Sequence, residues 1–249
     1  MKIVSGIEDA RTILMSERGI VENSSSYTKS VEGIIQYVRN DGDEALINLT
    51  QKFEGIPLKC IEVDLSTIKN AKNNISRDLF DSLQLAAQRI RTFHQKCLLQ
   101  GWSNSREGLG QKIVPIQRVG VYVPGGTASY PSTVLMTAIP AKVAGVEEII
   151  MCTPLSKDGK PDDMVLAAAD IAGVDRIFSV GGAQSIAGMA FGTQTIPKVD
   201  LICGPGNIYV TLAKKMLFGE VGIDGLYGPT ETFLIADSSA NPTMCAADL

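Results

Sequence analysis

The run Val119-Gly-Val-Tyr-Val-Pro-Gly-Gly126 decides the fold. An apolar stretch of strand length closes on a glycine turn, and a helical pattern, Ser132 to Val143, follows it. The same order returns from Glu147 to Cys152 with a helix over Asp162 to Ile171, and from Arg176 to Val180 with a helix over Ala183 to Phe191. It returns once more from Val199 to Cys203 with a helix over Ile208 to Phe218. Strands so uniformly apolar, each followed by a helix, predict an α/β fold with a parallel sheet covered on both faces. Ligands of such sheets lie at the carboxyl ends of the strands, where the glycine turns fall.

Three of those turns carry chemistry: Val123-Pro-Gly-Gly126, Val180-Gly-Gly-Ala-Gln184 and Gly204-Pro-Gly-Asn207. A glycine turn between strand and helix lets backbone amides point at an anion, so several on one sheet suggest a nucleotide. None matches the full dinucleotide fingerprint and no Walker sequence is present. The polar residues just past the glycines strengthen the reading: the amides of Gln184 and Asn207 can donate to phosphate or ribose, although Asn207 also suits a plain N-cap. Tyr122, one residue before the first turn, can cover a nucleotide ring or sit in the core.

Outward from this region, the first hundred residues read as mainly helical. Ser30 to Arg39 and Glu44 to Phe53 are helices separated by Asn40-Asp-Gly-Asp43, and Ile61 to Leu65 is a short strand candidate. Ser76 to Leu98 is the longest helix, with Leu79, Leu83, Leu85, Ala86, Ile90 and Phe93 as its inner face. Gly101 to Gly110 reads as a loop or hairpin, and Lys112 to Gln117 as a strand. Beyond the sheet, Phe233 to Ala236 reads as a strand, and Asn241-Pro242 opens a helix that has no stop signal before Leu249. The expectation is a chain cut short.

Composition narrows the class. A net charge of −4 offers no basic field for nucleic acid or anionic lipid. Lys214-Lys215, the one obvious basic pair, reads as cations favouring a helix C-terminus. The 5 cysteines are scattered and odd in number, which predicts a reducing, cytoplasmic setting. No apolar run suits a membrane span, and the N-terminus is not a signal peptide. The single histidine, His94, lies on the long helix away from the glycine turns and reads as structural. Acid–base candidates are Asp224 and Glu231, and no ligand spacing for zinc is present. Tyr227-Gly-Pro-Thr-Glu231 looks like a motif of adenylate-forming enzymes, but the phosphate loop that accompanies it there is missing.

Together, Arg118-Val-Gly-Val-Tyr-Val-Pro-Gly-Gly126, Ser132-Thr-Val-Leu-Met136, Gly181-Gly-Ala-Gln184, Ala190-Phe-Gly192, Pro197-Lys-Val-Asp200 and Gly204-Pro-Gly-Asn207 closely resemble histidinol dehydrogenase. Gly42-Asp-Glu-Ala45 and Phe93-His94 fit as well, so the resemblance covers essentially the whole chain. It implies NAD- and zinc-dependent oxidation of L-histidinol to L-histidine by a homodimer. It also implies two Rossmann-like parallel-sheet domains with an N-terminal helical segment, the first domain incomplete. The expected division is 1–117 for the helical segment and the start of the first domain, 118–230 for the second, NAD-binding domain, and 231–249 for a return to the first.

By the same resemblance, Tyr122, Gln184 and Asn207 match NAD-binding positions, and Thr230 matches a substrate-binding position that is usually serine. The zinc ligands and the acid–base pair are expected beyond Leu249. No catalytic or metal residue is therefore assigned within the chain, and the 249-residue polypeptide is expected to be inactive alone. Tyr227-Gly-Pro-Thr-Glu231 departs from the family's small residue followed by Gly-Pro-Ser-Glu. That departure leaves two alternatives: a zinc-dependent dehydrogenase of another primary alcohol, or an inactive nucleotide-binding remnant.

Overall fold

The computed structural model describes residues 4–18, 24–58, 60–125, 128–156, 158–227 and 234–248. The first part is helical: α1 (Ile7–Arg18), α2 (Ser24–Asp41), α3 (Asp43–Glu54), α4 (Leu65–Asn70) and α5 (Arg77–Lys96). A ribbon of β1 (Trp102–Asn104) and β2 (Leu109–Gln111) follows. Strand and helix then alternate as β3 (Arg118–Tyr122), α6 (Pro131–Val143), β4 (Glu148–Cys152), α7 (Asp163–Ala172), β5 (Arg176–Phe178), α8 (Gly182–Phe191), β6 (Leu201–Cys203), α9 (Ile208–Leu217) and β7 (Gly222–Ile223). The helix α10 (Pro242–Asp248) comes last, capped by Asn241, whose Oδ1 accepts from Thr243 N at 2.9 Å and Met244 N at 3.3 Å.

The five strands β3 to β7 form one parallel sheet in the order β5-β4-β3-β6-β7. Past the charged residues that open β3, β4 and β5, the strands are apolar because both faces are covered. In β3, Val119 and Val121 face α6 and α7, while Tyr122 faces α8 and α9. In β4, Ile149 and Met151 go to the first face, Ile150 and Cys152 to the second. The period of two is present in space but invisible in hydropathy. The helical segment extends both layers: α2 and α3 pack over α8 and α9, and α5 packs over α6 and α7. Gly120 permits the close seating of α8, since a Cβ there would stand 2.6 Å from Met189 Sδ.

The amino edge of the sheet is latched by charge. Arg118 Nε meets Glu148 Oε2 at 2.5 Å, Arg118 Nη1 donates to Lys198 O at 2.8 Å, and the Arg118 amide donates to Asp200 Oδ2 at 2.8 Å. Asp175 Oδ2 accepts from Ile149 N at 2.7 Å and from Lys142 Nζ at 2.8 Å.

Several expectations are corrected. Lys112 to Gln117 forms no strand: Pro115 lacks a donor, and Ile113, Val114 and Ile116 are exposed. Leu234 to Ala236 forms none either, and Ile235 is 88% exposed, with no strand paired to it among the described residues; Phe233 lies outside the described residues. Leu85 and Phe93 are exposed rather than on the inner face of α5, whose buried residues are Leu83 and Ala87. Ile61 to Leu65 is only partly extended. Residues 61–63 bridge to β5, through Val63 N to Ile177 O and Ser179 N to Ile61 O, both at 2.8 Å, and Leu65 already begins α4. Pro140 sits inside α6 without ending it.

Candidate nucleotide site

The strand order reverses between β3 and β6, which opens a crevice beyond their carboxyl ends. Gly204 stands there with φ +119°, and a Cβ on it would fall 2.1 Å from Tyr122 O, so only glycine fits. One ion pair grips this residue from both sides. Asp224 Oδ2 accepts the Gly204 amide at 2.8 Å, while Lys214 Nζ donates to the Gly204 carbonyl at 2.8 Å and to Asp224 Oδ1 at 2.5 Å. Lys214 is 1% exposed. Its helix had announced this: Val210, Ala213, Lys214 and Leu217 share one buried stripe, so the lysine occupies a core position. The dipole reading of the Lys214-Lys215 pair missed that. Asp224, a candidate acid or base from sequence, spends its oxygens on Lys214 and on the Gly204 and Gly225 amides, and serves as a clamp.

Tyr122 and Gln184 come together at the turn between β5 and α8. The Gly182 amide donates to Tyr122 Oη at 3.2 Å, and the Gln184 Oε1 lies 2.7 Å from where a Gly182 Cβ would stand. Both residues are buried and form the floor of the turn. Burial pushes the Tyr122 hydroxyl up to about 12, helped by the nearby Glu54 carboxylate, so it stays protonated. The Gln184 amide makes no side-chain hydrogen bond to any other described residue. Asn207 is exposed at the head of α9, its Oδ1 accepting from Tyr209 N at 3.1 Å and Val210 N at 3.2 Å. The cap uses the oxygen and leaves the Asn207 amide N–H groups to donate outward. Thr230 and Glu231 lie outside the described residues.

Glu54 is the residue that sequence reasoning passed over. It ends α3, yet its Oε2 accepts from the Leu155 amide at 3.0 Å and its Oε1 lies beside Gly181, just beyond β4 and β5. Desolvation raises its pKa above the ordinary carboxylate value, and the two amides pull it back in part. The one local hint was an acid in the last turn of a helix, where the dipole disfavours it.

Other reactive groups are quiet. Burial pushes the Cys152 thiol well up and the Cys203 thiol up to about 12, so neither supplies a thiolate. His94 packs edge-on to Phe93, ring centroids 5.3 Å apart, on an apolar groove whose lining also includes Leu201, Cys203 and Asp224. A cavity of about 150 Å³ between the ends of β3 and β4 is lined by Ser129, Thr153, Ser156 and Asp162. Among the described residues no group of three His, Cys, Asp or Glu side chains could hold a metal, and no helix is long and apolar enough to cross a membrane.

A parallel sheet wound in both directions from β3 and β6, with a glycine-lined crevice at the switch point, defines a doubly wound α/β protein. Comparison with known proteins narrows this. A family model described as histidinol dehydrogenase matches residues 18–249. The chain is 54% identical over 222 residues to a histidinol dehydrogenase of Dehalococcoides mccartyi (strain CBDB1), covering 89% of this chain and 51% of that protein. It is 53% identical over 227 residues to one of Aquifex aeolicus (strain VF5), covering 90% and 52%. The crystal structure of histidinol dehydrogenase from Elizabethkingia anophelis superposes with a TM-score of 0.82 at 37% identity, covering 100% of this chain and 54% of that one. The chain belongs to the histidinol dehydrogenase family, a family of oxidoreductases. It spans about half the length of the curated relatives it matches.

Proposed function

We propose that this chain forms the NAD-binding part of an enzyme that oxidises L-histidinol to L-histidine through the aldehyde, in histidine biosynthesis. The convergence of Tyr122 and Gln184 on Gly182, at the carboxyl edge of the sheet, carries this reading. NAD, when bound, supplies the hydride acceptor. Tyr122 fixes the turn through Gly182, Gln184 offers its amide from the floor, and Asn207 donates from the head of α9. The Lys214–Asp224 clamp keeps Gly204 at the distance the crevice needs. In this reading residues 118–230 are the NAD-binding domain, with 1–117 and 231–249 belonging to its neighbour. Thr230 supplies a hydroxyl to the alcohol substrate. The working enzyme is a cytoplasmic homodimer.

The described residues do not fit a zinc site, since no cluster of three donors exists among them. A dehydrogenase acting on another primary alcohol is the second reading, favoured by Tyr227. That bulky side chain packs back over its own turn, its hydroxyl donating to Asp224 O at 3.2 Å and its ring 5.6 Å from Lys214 Nζ. NADH formation by the native protein, assayed with L-histidinol beside a panel of primary alcohols, decides between them. Histidinol is expected to give the highest kcat/KM. No NADH with histidinol and turnover of a different alcohol would sink the first reading in favour of the second.

A further inference from the structure

The turn at Gly181–Gly182 looks from sequence like a cradle for phosphate, but the protein has filled it. The Gly181 amide faces Glu54, and the Gly182 amide goes to Tyr122 Oη. The positive end of α8 already meets a negative charge, and a phosphate there would meet the same carboxylate. What the turn leaves unspent is a mixed set. Tyr122 accepts from Gly182 and still has its O–H to give; Gln184 has both ends of its amide; Glu54 Oε2 accepts the Leu155 amide and keeps a lone pair, and Oε1, beside Gly181, is open to accept. Donors and acceptors so interleaved suit a neutral vicinal diol, in which every hydroxyl both gives and takes a hydrogen bond.

Position supports the same ligand. Counted from the central strand outward, β4 is the second strand of the doubly wound half. In dinucleotide-binding sheets an acid at the end of that strand takes the ribose hydroxyls. The end of β4, Thr153-Pro-Leu-Ser156, contains no acid. Glu54 arrives there instead, from helix α3, and docks on the Leu155 amide. Asp162, the other acid nearby, is committed as the cap of α7 through Oδ1, which accepts from Met164 N, Val165 N and the Ser129 hydroxyl.

Resting on the NAD reading, we propose that Glu54 binds the adenosine ribose diol at the end of β4 and excludes a nucleotide that carries a 2′-phosphate. The acid of the sheet is thus delivered from outside it.

The test is equilibrium titration of the native protein with NAD, NADP and 2′-deoxy-NAD, repeated for Glu54→Gln and Glu54→Ser, with circular dichroism to verify folding. Wild-type protein is expected to bind NAD about 10- to 100-fold more tightly than the 2′-deoxy analogue, the range of a hydrogen bond to a charged group. NADP is expected to bind weakly to wild type, and Glu54→Ser to narrow the gap between NAD and NADP. Equal binding of NAD and 2′-deoxy-NAD by the wild type would overturn the proposal without any variant. A folded Glu54→Gln or Glu54→Ser protein with an unchanged NAD-to-NADP ratio would overturn it too. Failure of wild type to bind NAD at all would instead remove the nucleotide reading on which the proposal stands.

Discussion

A methionine at position 214 keeps the length of the lysine and removes its charge. Asp224 would then face the Gly204 and Gly225 amides without its cation, and the Gly204 carbonyl would lose a donor. Lys214→Met is expected to cost about 2–4 kcal/mol, because one partner of a mostly buried pair is left behind. Urea unfolding of the variant beside wild type measures it, and a loss under about 0.5 kcal/mol, the scale of a surface substitution, would refute the clamp. Tyr122, Gln184 and Asn207 could be proposed from sequence because each lies within four residues of a glycine turn. Glu54 could not, because its partners Leu155 and Gly181 are more than a hundred residues away in the chain and nothing local links them. Lys214 stood between these cases: its stripe was legible, but its partner lay past the end of the helix.

At the scale of elements, β5 would be an open edge were it not strapped. Residues 61–63 pair with it, and Arg176 grips Glu62 through two bonds, Nε to Oε1 at 2.7 Å and Nη2 to Oε2 at 2.8 Å. The hydrogen bond from Arg176 holds the Glu62 carboxyl below its ordinary 4.5. The unfolded chain therefore binds that proton more readily, so the contribution is complete above the unfolded value and disappears as pH falls through the folded one. Solvent reaches both side chains, which limits the pair to about 1 kcal/mol. Arg176→Leu is expected to lose that amount at neutral pH and to flatten the acid side of the stability profile. An unchanged slope between wild type and variant in acid denaturation would argue against the strap. The α/β alternation from β3 to α9 was legible because each strand is apolar and each helix follows at once. Residues 61–63 were legible within the Ile61 to Leu65 candidate, but β7 was not, since two residues carry too little pattern to mark a strand. Lys112 to Gln117 had the pattern but Pro115 and no partner.

For the molecule as a whole, protection against exchange should follow the layers. β3 is central in the sheet, with α6 and α7 on one side and α8 and α9 on the other. The β1–β2 ribbon has only exposed or half-exposed residues and, among the described residues, no third strand. Hydrogen exchange followed by mass spectrometry is expected to exhaust Trp102–Gln111 long before Val119–Tyr122; comparable rates would mean that the sheet is not the cooperative unit. The two ends of the strands also differ in kind. Arg118, Glu148, Asp175 and Asp200 fix the amino edge with directional charge pairs, while the carboxyl edge ends in glycine turns, of which Lys214 and Asp224 clamp only the one at Gly204. The sheet is thus a comb held by its spine. New loops, grafted segments and altered ligand preferences belong at the free tips, where one tooth can be recut without shifting the register of the others.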